Sequence, residues 1–126
     1  MIEVHSDRSG NLLTIVFSGT VTADDARKWS EQVIGWVAEM QPGFQLLADL
    51  TTLELMENAC APFIAKVMDH CNEKGVRKIL RVIPDPRKDI GLKILSLFHY
   101  DRDVRIATFE NLADAQKAIS VTAATR

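Results

Sequence analysis

The chain has 126 residues, of which 47% are hydrophobic and 25% charged, and its formal net charge at pH 7 is -2. A chain of this length forms one ordinary domain that buries roughly two thirds of the surface its unfolded form exposes. The mixed charges exclude a broad basic surface for nucleic acid, and no apolar run approaches the roughly 20 residues of a membrane span. We therefore expect a protein or small-molecule partner, no nucleic acid and no membrane span.

The amino-terminal part predicts a hairpin and then a long helix. IEVH and NLLTIVFSG have the composition of strands, and SDRSG between them is a turn-forming cluster, so an antiparallel pair is expected. This polar start lacks the apolar core of a signal peptide, which indicates a cytoplasmic protein. Thr22 and Asp25 have the spacing of an approximate capping box before an amphipathic helix. Its apolar stripe consists of Ala26, Trp29, Val33, Trp36, Val37 and Met40.

Strands and helices alternate in the remainder of the chain. Pro42 and Gly43 end the first helix, and FQLLADL predicts a buried strand. A second helix is predicted over residues 58–74, capped by Gly75. Its predicted stripe is Ala59, Phe63, Val67 and Cys71.

After this second helix come the strand VRKILRVIP, the helix IGLKILSLFHY, the strand DVRIATF and a last helix that begins at Asn111. Alternation of this kind predicts an α/β sandwich: a mixed, mostly parallel sheet with an amino-terminal antiparallel hairpin and four helices. The domain is expected to cover residues 1–119, with a flexible tail over residues 120–126. In such sheets functional groups gather at the carboxyl ends of the strands, here DLTTLELMEN, PDPRKD and FENLAD.

This element order, together with short motifs in DLTTLELMENACAPF, resembles the STAS domains of anti-sigma-factor antagonists. Those domains carry a strand that ends in Asp-Leu-Ser, and eight residues after that Asp an Asp-Ser-Ser-Gly begins the next helix. Asp49, Leu50 and Thr51 match the first motif. At the position of the second motif stand Glu57, Asn58, Ala59 and Cys60. The spacing is retained, but Ala59 replaces the phosphoacceptor serine.

The opening of the chain is closer still to the divergent SpoIIAA-like branch of that family. The matching residues are Met1, Ile2, Glu3, Gly10, Asn11, Leu13, Gly19, Thr22 and Asp25. The resemblance implies a bacterial, non-enzymatic regulatory module that binds a protein partner, such as an anti-sigma kinase, through the helix that normally carries the serine. Homodimers and apolar ligands are further possibilities in this branch.

The junction before the second helix is the predicted partner-binding site, and it comprises Thr51, Thr52, Glu57, Asn58, Ala59 and Cys60. Because Ala59 has no hydroxyl, a kinase cannot switch the junction there. Asn58 is expected to cap the helix, and Glu57 either adds a permanent negative charge at its positive end or serves only as a cap. Thr51 and Thr52 are either alternative phosphorylation sites or partners of loop backbone groups.

The sequence contains two further candidate binding sites. Arg87 and Lys88 precede a helix whose free N–H groups favour an anion, although Asp85 and Asp89 can neutralise them. The second is a pocket between sheet and helices for a small ligand or lipid, lined by Trp36, Phe63 and Phe98. Trp29 and Trp36 face the core by default, but Trp36, Ile34, Leu92 and Leu95 together could form an exposed patch for a homodimer or an apolar ligand.

Enzymatic function is not expected. His70 and Cys71 point about 100° apart on one helix, so they are not a catalytic pair. No spacing of His, Cys or carboxylates matches a metal site, and no Gly-rich phosphate loop is present. Cys60 and Cys71 are predicted to be buried free thiols. The sequence therefore predicts no cofactor, no metal and no catalytic residues.

Overall fold

The computed structural model describes residues 1–85 and 99–124. Within these ranges the elements are strands β1 (Ile2–Asp7), β2 (Leu12–Val21), β3 (Gln45–Met56), β4 (Lys78–Val82) and β5 (Arg105–Phe109), and helices α1 (Ala23–Glu39), α2 (Ala61–Lys74) and α3 (Leu112–Ala124). A short 3-10 helix, Asn58–Cys60, directly precedes α2.

The five strands form one sheet in the order β1-β2-β3-β4-β5. The pair β1 and β2 is antiparallel and all other neighbours are parallel. This arrangement confirms the predicted α/β class and the mixed, mostly parallel sheet. Of the four predicted helices, three lie in the described ranges, and the remaining one, over residues 90–100, falls almost entirely outside them. The division into a domain over 1–119 and a tail stays a prediction, and α3 extends to Ala124.

The sheet has a helical layer on each face. Leu46 and Leu47 are neighbours in β3 and therefore point to opposite faces. Leu46 belongs to the main core, which the buried faces of α1 and α2 complete. Leu47 packs in a smaller cluster with Ala115 of α3. No helix within the described residues is long and apolar enough to cross a membrane.

Helix α1 follows the sequence prediction closely. Thr22 is its N-cap, and the capping box with Asp25 is present in both directions. Five members of the predicted stripe are buried: Ala26, Trp29, Val33, Val37 and Met40. Trp36 is 39% exposed, so the default prediction of a core-facing pair is wrong for this member and the alternative, one exposed Trp, is confirmed.

Strand β3 is longer than predicted. FQLLADL was expected to end the strand near Leu50, with a loop after it, but the strand continues to Met56. The extension pairs in parallel with the end of β2, after two irregularities in register. It is anchored because Leu53 and Met56 are buried on the same face as the main core. Burial of each such side chain contributes about 1.5–3 kcal/mol.

Helix α2 begins later and packs on a slightly different face than predicted. The helix starts at Ala61, with Pro62 in its first turn, and Gly75 ends it in the left-handed conformation at φ 94°. Ala59 is exposed, so its predicted place on the stripe is wrong, whereas Phe63 is half-buried and packs against the main core. The buried positions are Ile64, Val67, Met68 and Cys71.

Candidate functional site

The candidate site is the stretch from Thr51 to Cys60, named here the β3 junction, which leads from the extension of β3 into α2. Leu53, Met56 and Cys60 are buried and hold the stretch to the core. The other seven residues are exposed: Thr51, Thr52, Glu54, Leu55, Glu57, Asn58 and Ala59. Of the six residues predicted for this site, five are therefore accessible to a partner, and Cys60 is not.

Leu55 is the residue at this site that the sequence analysis missed. Its side chain is 59% exposed, between the exposed carboxylates Glu54 and Glu57. In parallel pairing it lies opposite Thr20 of β2. Strand alternation in TLELM would place Leu55 on the same face as the buried Leu53, so no pattern in the sequence predicted its exposure. The register irregularity between Gly19 and Thr20 of β2 lies at this point of the pairing.

Thr51 is engaged with the preceding aspartate. Its backbone N–H donates to Asp49 Oδ1 at 2.9 Å, and its hydroxyl donates to the same oxygen at 2.5 Å. Both residues lie within β3, and short-range bonds of this kind satisfy local polar groups. This geometry favours the structural interpretation of Thr51.

Glu57 contacts a different helix from the one predicted. Its Oε1 accepts a hydrogen bond from the backbone N–H of Ala23, the first residue of α1, at 2.8 Å. Its own N–H donates to the carbonyl of Val21 at 3.0 Å. The reason is the long β3, because pairing of Met56 with Val21 brings Glu57 beside the start of α1. The negative charge of Glu57 thus stabilises the N-terminus of α1, and its predicted role at α2 is corrected.

The predicted cap at Asn58 is also wrong. Asn58 opens the 3-10 helix, and neither that helix nor α2 has a side-chain hydrogen bond at its N-cap. The cap position of α2 is taken by Cys60. Pro62 explains the shift, because proline favours the first turn of an α-helix, where its missing N–H is not needed.

Both cysteines are free and buried, as predicted. Burial raises the pKa of the Cys60 thiol, and the nearby Glu57 carboxylate adds to the rise. Burial alone raises the pKa of Cys71 to about 12. A thiol reacts as its thiolate, so both side chains are poor nucleophiles near neutral pH.

Most residues of the other predicted sites fall outside the part of the chain that the structure describes. Arg87, Lys88, Leu92, Leu95 and Phe98 lie outside the described residues. Within residues 1–85 and 99–124 no group of three or more His, Cys, Asp or Glu side chains could hold a metal ion. His99 contacts Asp69 of α2 at 2.6 Å between Nδ1 and Oδ1.

The predicted pocket between sheet and helices has different walls. Trp36 is exposed and Phe63 half-buried, and neither lines the cavity found between the sheet and helices α1 and α2. Its polar lining residues are Trp29, Arg81 and Tyr100. Arg81 lies in the apolar strand KILRV and points to the same face as the buried Ile79, and the strand carries no local pattern that marks it.

Comparisons with known proteins agree on the architecture. No family model and no curated protein matches the sequence. A protein of the DUF3478 family with a SpoIIAA-like fold from Shewanella loihica has a TM-score of 0.70 at 17% identity, over 94% of this chain and 93% of its own. The anti-sigma factor antagonist SpoIIAA in its unphosphorylated form has a TM-score of 0.66 at 10% identity, over 97% of both chains. The chain has a SpoIIAA-like fold.

An anti-sigma factor antagonist from Mycobacterium paratuberculosis has the same fold, with a TM-score of 0.61 at 18% identity over 95% of both chains. The SpoIIAA-like fold places the β3 junction directly before the second helix, as the sequence resemblance implied. At these identities the likeness concerns the fold, and the role of individual residues depends on this chain's own geometry.

Proposed function

We propose that this SpoIIAA-like protein is a non-enzymatic regulatory module that binds a protein partner through the β3 junction. The observation that carries the proposal is Leu55, a large apolar side chain that is 59% exposed on a strand whose neighbours Leu53 and Met56 are buried. An apolar side chain held on a rigid strand and ringed by polar residues is the usual centre of a protein contact.

The polar rim of this surface has the composition of a recognition site. Glu54, Glu57, Thr52 and Asn58 surround Leu55 in sequence and are exposed. Two carboxylates give the rim a negative charge, which favours a partner with a basic contact surface and accelerates their encounter. The solved neighbours named as anti-sigma factor antagonists support a regulatory protein partner, which is the class proposed here.

The chemistry of the junction supports binding over catalysis. Thr51 donates its hydroxyl to Asp49, so this hydroxyl is engaged within β3. The raised pKa of the Cys60 thiol disfavours a nucleophilic role. Partner binding at Ala59 then operates without a phosphoserine, and regulation depends on the amount or state of the partner. A cytoplasmic location stays a prediction.

A matched pair of variants tests the proposal. Leu55→Lys places a charge at the centre of the junction, and Ile106→Lys does the same at an exposed apolar residue of β5, which is 40% exposed. Tagged proteins produced in the native host at normal levels are cross-linked, purified and analysed by mass spectrometry. We expect a protein that is recovered with the wild type and Ile106→Lys and lost with Leu55→Lys. Equal recovery with all three would contradict the assignment of this surface.

A further inference from the structure

Strand β1 forms one edge of the sheet, and its outer side has no partner strand within the described residues. Met1 and Ser18 exchange both of their backbone hydrogen bonds, which marks a hydrogen-bonded pair of the hairpin. Such pairs alternate along an antiparallel ladder, so the N–H and C=O groups of Ile2, Val4 and Ser6 point away from β2. No hydrogen bond of the described chain reaches these groups. They are available to a further strand.

The β1 edge lacks the features that normally protect an edge strand from pairing. Those features are proline, lysine, a bulge or a very short strand. β1 has six residues in continuous register with β2, and IEVHSD contains neither proline nor lysine. At the opposite edge of the sheet, β5 has five residues and begins with the exposed Arg105. Of the two edges, β1 is therefore the better suited to pairing.

The sequence of β1 is complementary to itself in one antiparallel register. Two copies of β1 can pair about a two-fold axis at Val4. Ile2 of one copy then lies opposite Ser6 of the second copy, and the outward backbone groups of both strands form about six hydrogen bonds. In the same register Glu3 of each copy lies opposite His5 of the other. A carboxylate opposite an imidazole is a favourable cross-strand pair.

A shifted register loses this complementarity. When the register moves by two residues, Glu3 lies opposite Glu3 of the second copy or, in the other direction, opposite Asp7. Like charges directly opposite each other are destabilising. Within one chain Glu3 and His5 lie on the same exposed face, 3.7 Å apart between Oε2 and Nε2. In the register centred on Val4, carboxylates and imidazoles therefore alternate in one cluster across the axis.

Trp36 lies at this edge, on the helical face of the sheet. Ile34 and Ala38 line a groove between α1 and α2. Trp36 projects from the opposite flank of α1, because residues two apart on a helix point about 160° apart. Glu39 shares the flank of Trp36 and pairs with Arg8, the residue after β1, at 2.8 Å. The flank that carries Trp36 is therefore the one beside β1.

The position of Trp36 along β1 follows from Trp29. The ring of Trp29 contacts that of Phe17, which lies opposite Ile2. Helix α1 runs alongside β1 in the same direction, since it ends at the hairpin that also ends β1. Seven helical residues span about 10 Å, as do three strand residues. The exposed Trp36 therefore lies near the middle of β1, where a second copy would cover it.

We propose that β1 pairs with β1 of a second copy of this chain, antiparallel about a two-fold axis at Val4, to form a symmetric dimer with one continuous sheet. The dimer covers Trp36 of each copy beside the axis. The axis reverses the strand direction, so the two β3 junctions lie at opposite ends of the joined sheet and dimerisation is independent of partner binding there. For an interface at the small end of specific contacts we expect a dissociation constant on the order of 10 μM.

Sedimentation velocity at concentrations that bracket this value measures the dimer. An edge strand tolerates proline where the N–H faces outward, so Ser6→Pro removes interface hydrogen bonds and none of the β1–β2 ladder. Thr108 of β5 is the matched position, because the bonds of Arg105 and Phe109 toward β4 leave it pointing outward. With folding checked by circular dichroism, Ser6→Pro should raise the dissociation constant by at least about tenfold, and Thr108→Pro should leave it unchanged.

Two cysteine variants test the register without proline. Positions 3 and 5 of the two copies form pairs without backbone hydrogen bonds, whose Cα atoms are about 4.5 Å apart and within disulfide range. The native thiols, Cys60 and Cys71, are buried. During mild oxidation with glutathione disulfide, an equimolar mixture of Glu3→Cys and His5→Cys should form covalent dimers about tenfold faster than either variant alone. The mixed dimer also retains one Glu3–His5 pair.

Four results would each overturn the proposal. They are a monomer at every concentration, undiminished dimerisation of folded Ser6→Pro, loss of the dimer in folded Thr108→Pro, and equal cross-linking rates for the mixture and the single cysteine variants.

Discussion

The N-termini of α1 and α2 lie at the same edge of the sheet, after the parallel strands β2 and β3, yet they are built in opposite ways. At α1, Asp25 N–H donates to Thr22 Oγ1 at 3.1 Å, and Thr22 N–H donates to the Asp25 carboxylate at 3.0 Å. Glu57 adds a third acceptor at Ala23. At α2 there is no side-chain cap and no acidic residue in the first turn.

The difference shows where the chain uses its negative charge. The sequence resemblance implies a phosphoacceptor serine at the start of the second helix, whereas here the nearest carboxylate, Glu57, is directed to the first helix. The start of α2 is left exposed at Ala59 and uncharged. Substitutions at either helix start test whether the two N-termini depend on different interactions.

The largest effect is expected from the cap of α1. Thr22→Ala removes the acceptor for Asp25 N–H and should lower the free energy of unfolding by about 1 kcal/mol. Asn58→Ala is the matched change at α2, and because Asn58 makes no capping bond it should cost less than about 0.3 kcal/mol. Urea denaturation monitored by circular dichroism measures both. Similar losses would show that the two starts are equally dependent on side-chain caps.

A smaller loss is expected when the link between the two helix starts is cut. Glu57→Ala removes the acceptor for Ala23 N–H and should cost about 0.5–1 kcal/mol. Glu57→Gln keeps an amide oxygen at the same place, so it should retain most of that stability while removing the charge. The same urea measurements compare the two. If Gln and Ala are equally destabilising, the charge and not the hydrogen bond is what α1 needs.

These two variants also separate stability from recognition. From the sequence, Glu57 either supplies a permanent charge to the partner-binding site or serves only as a cap. Glu57→Gln removes the charge while leaving the helix start largely intact, so partner binding by this variant distinguishes the two. Unchanged binding of the partner by Glu57→Gln would restrict Glu57 to a structural role.

The contrast between the two helix starts also shows what could be read from the sequence. Thr22 and Asp25 form a local signal, three residues apart, and this predicted the α1 cap correctly. Asn58 gave an equally good local signal and was misleading, because the competing start at Pro62 and the pairing of β3 with β2 decide where α2 begins. The bond from Ala23 to Glu57 spans 34 positions and has no local signature.

The fold was more predictable than the site for the same reason. Hydrophobic periodicity gave the alternation of strands and helices and the antiparallel hairpin. The exposure of Leu55 and the cavity at Trp29 and Arg81 depend on strand register and on packing between elements, which periodicity does not contain. Of the six residues predicted for the partner-binding site, all except Cys60 are exposed.

Acidification should destabilise the N-terminus of α1 and not that of α2. Hydrogen bonds from the backbone and side chain of Thr22 hold the pKa of Asp25 below its ordinary value of 3.8. A carboxyl group whose pKa is lower in the folded state stabilises the protein at pH values above its unfolded-state pKa. This contribution is lost as the pH falls through its folded-state pKa. The melting temperature of wild type should therefore exceed that of Asp25→Asn at pH 6, and the gap should close below pH 3.8. The pKa values of Asp7 and Asp24 are also lowered, chiefly by hydrogen bonds with Ser9 and Arg27 respectively, but both residues are present in the two proteins and do not contribute to the gap. A gap that persists at low pH would assign the effect of Asp25→Asn to geometry and not to charge.

The smallest effect is expected from giving α2 the charge that it lacks. Ala59→Asp places a carboxylate just before the first turn of α2 and should stabilise the protein by about 0.3 kcal/mol at low salt, with the gain reduced in high salt by screening. Ala59→Ser is the uncharged control and should leave stability unchanged, because position 59 is exposed. Differential scanning calorimetry at two salt concentrations measures the difference.

If the negative rim of the β3 junction attracts a basic partner surface, the same Ala59→Asp change should also accelerate association, and Ala59→Ser should not. Faster association without the salt-dependent gain in stability would mean that the new charge acts on the partner alone. The N-terminus of α2 would then be too irregular, because of the 3-10 turn before it, for a charge at position 59 to stabilise the helix.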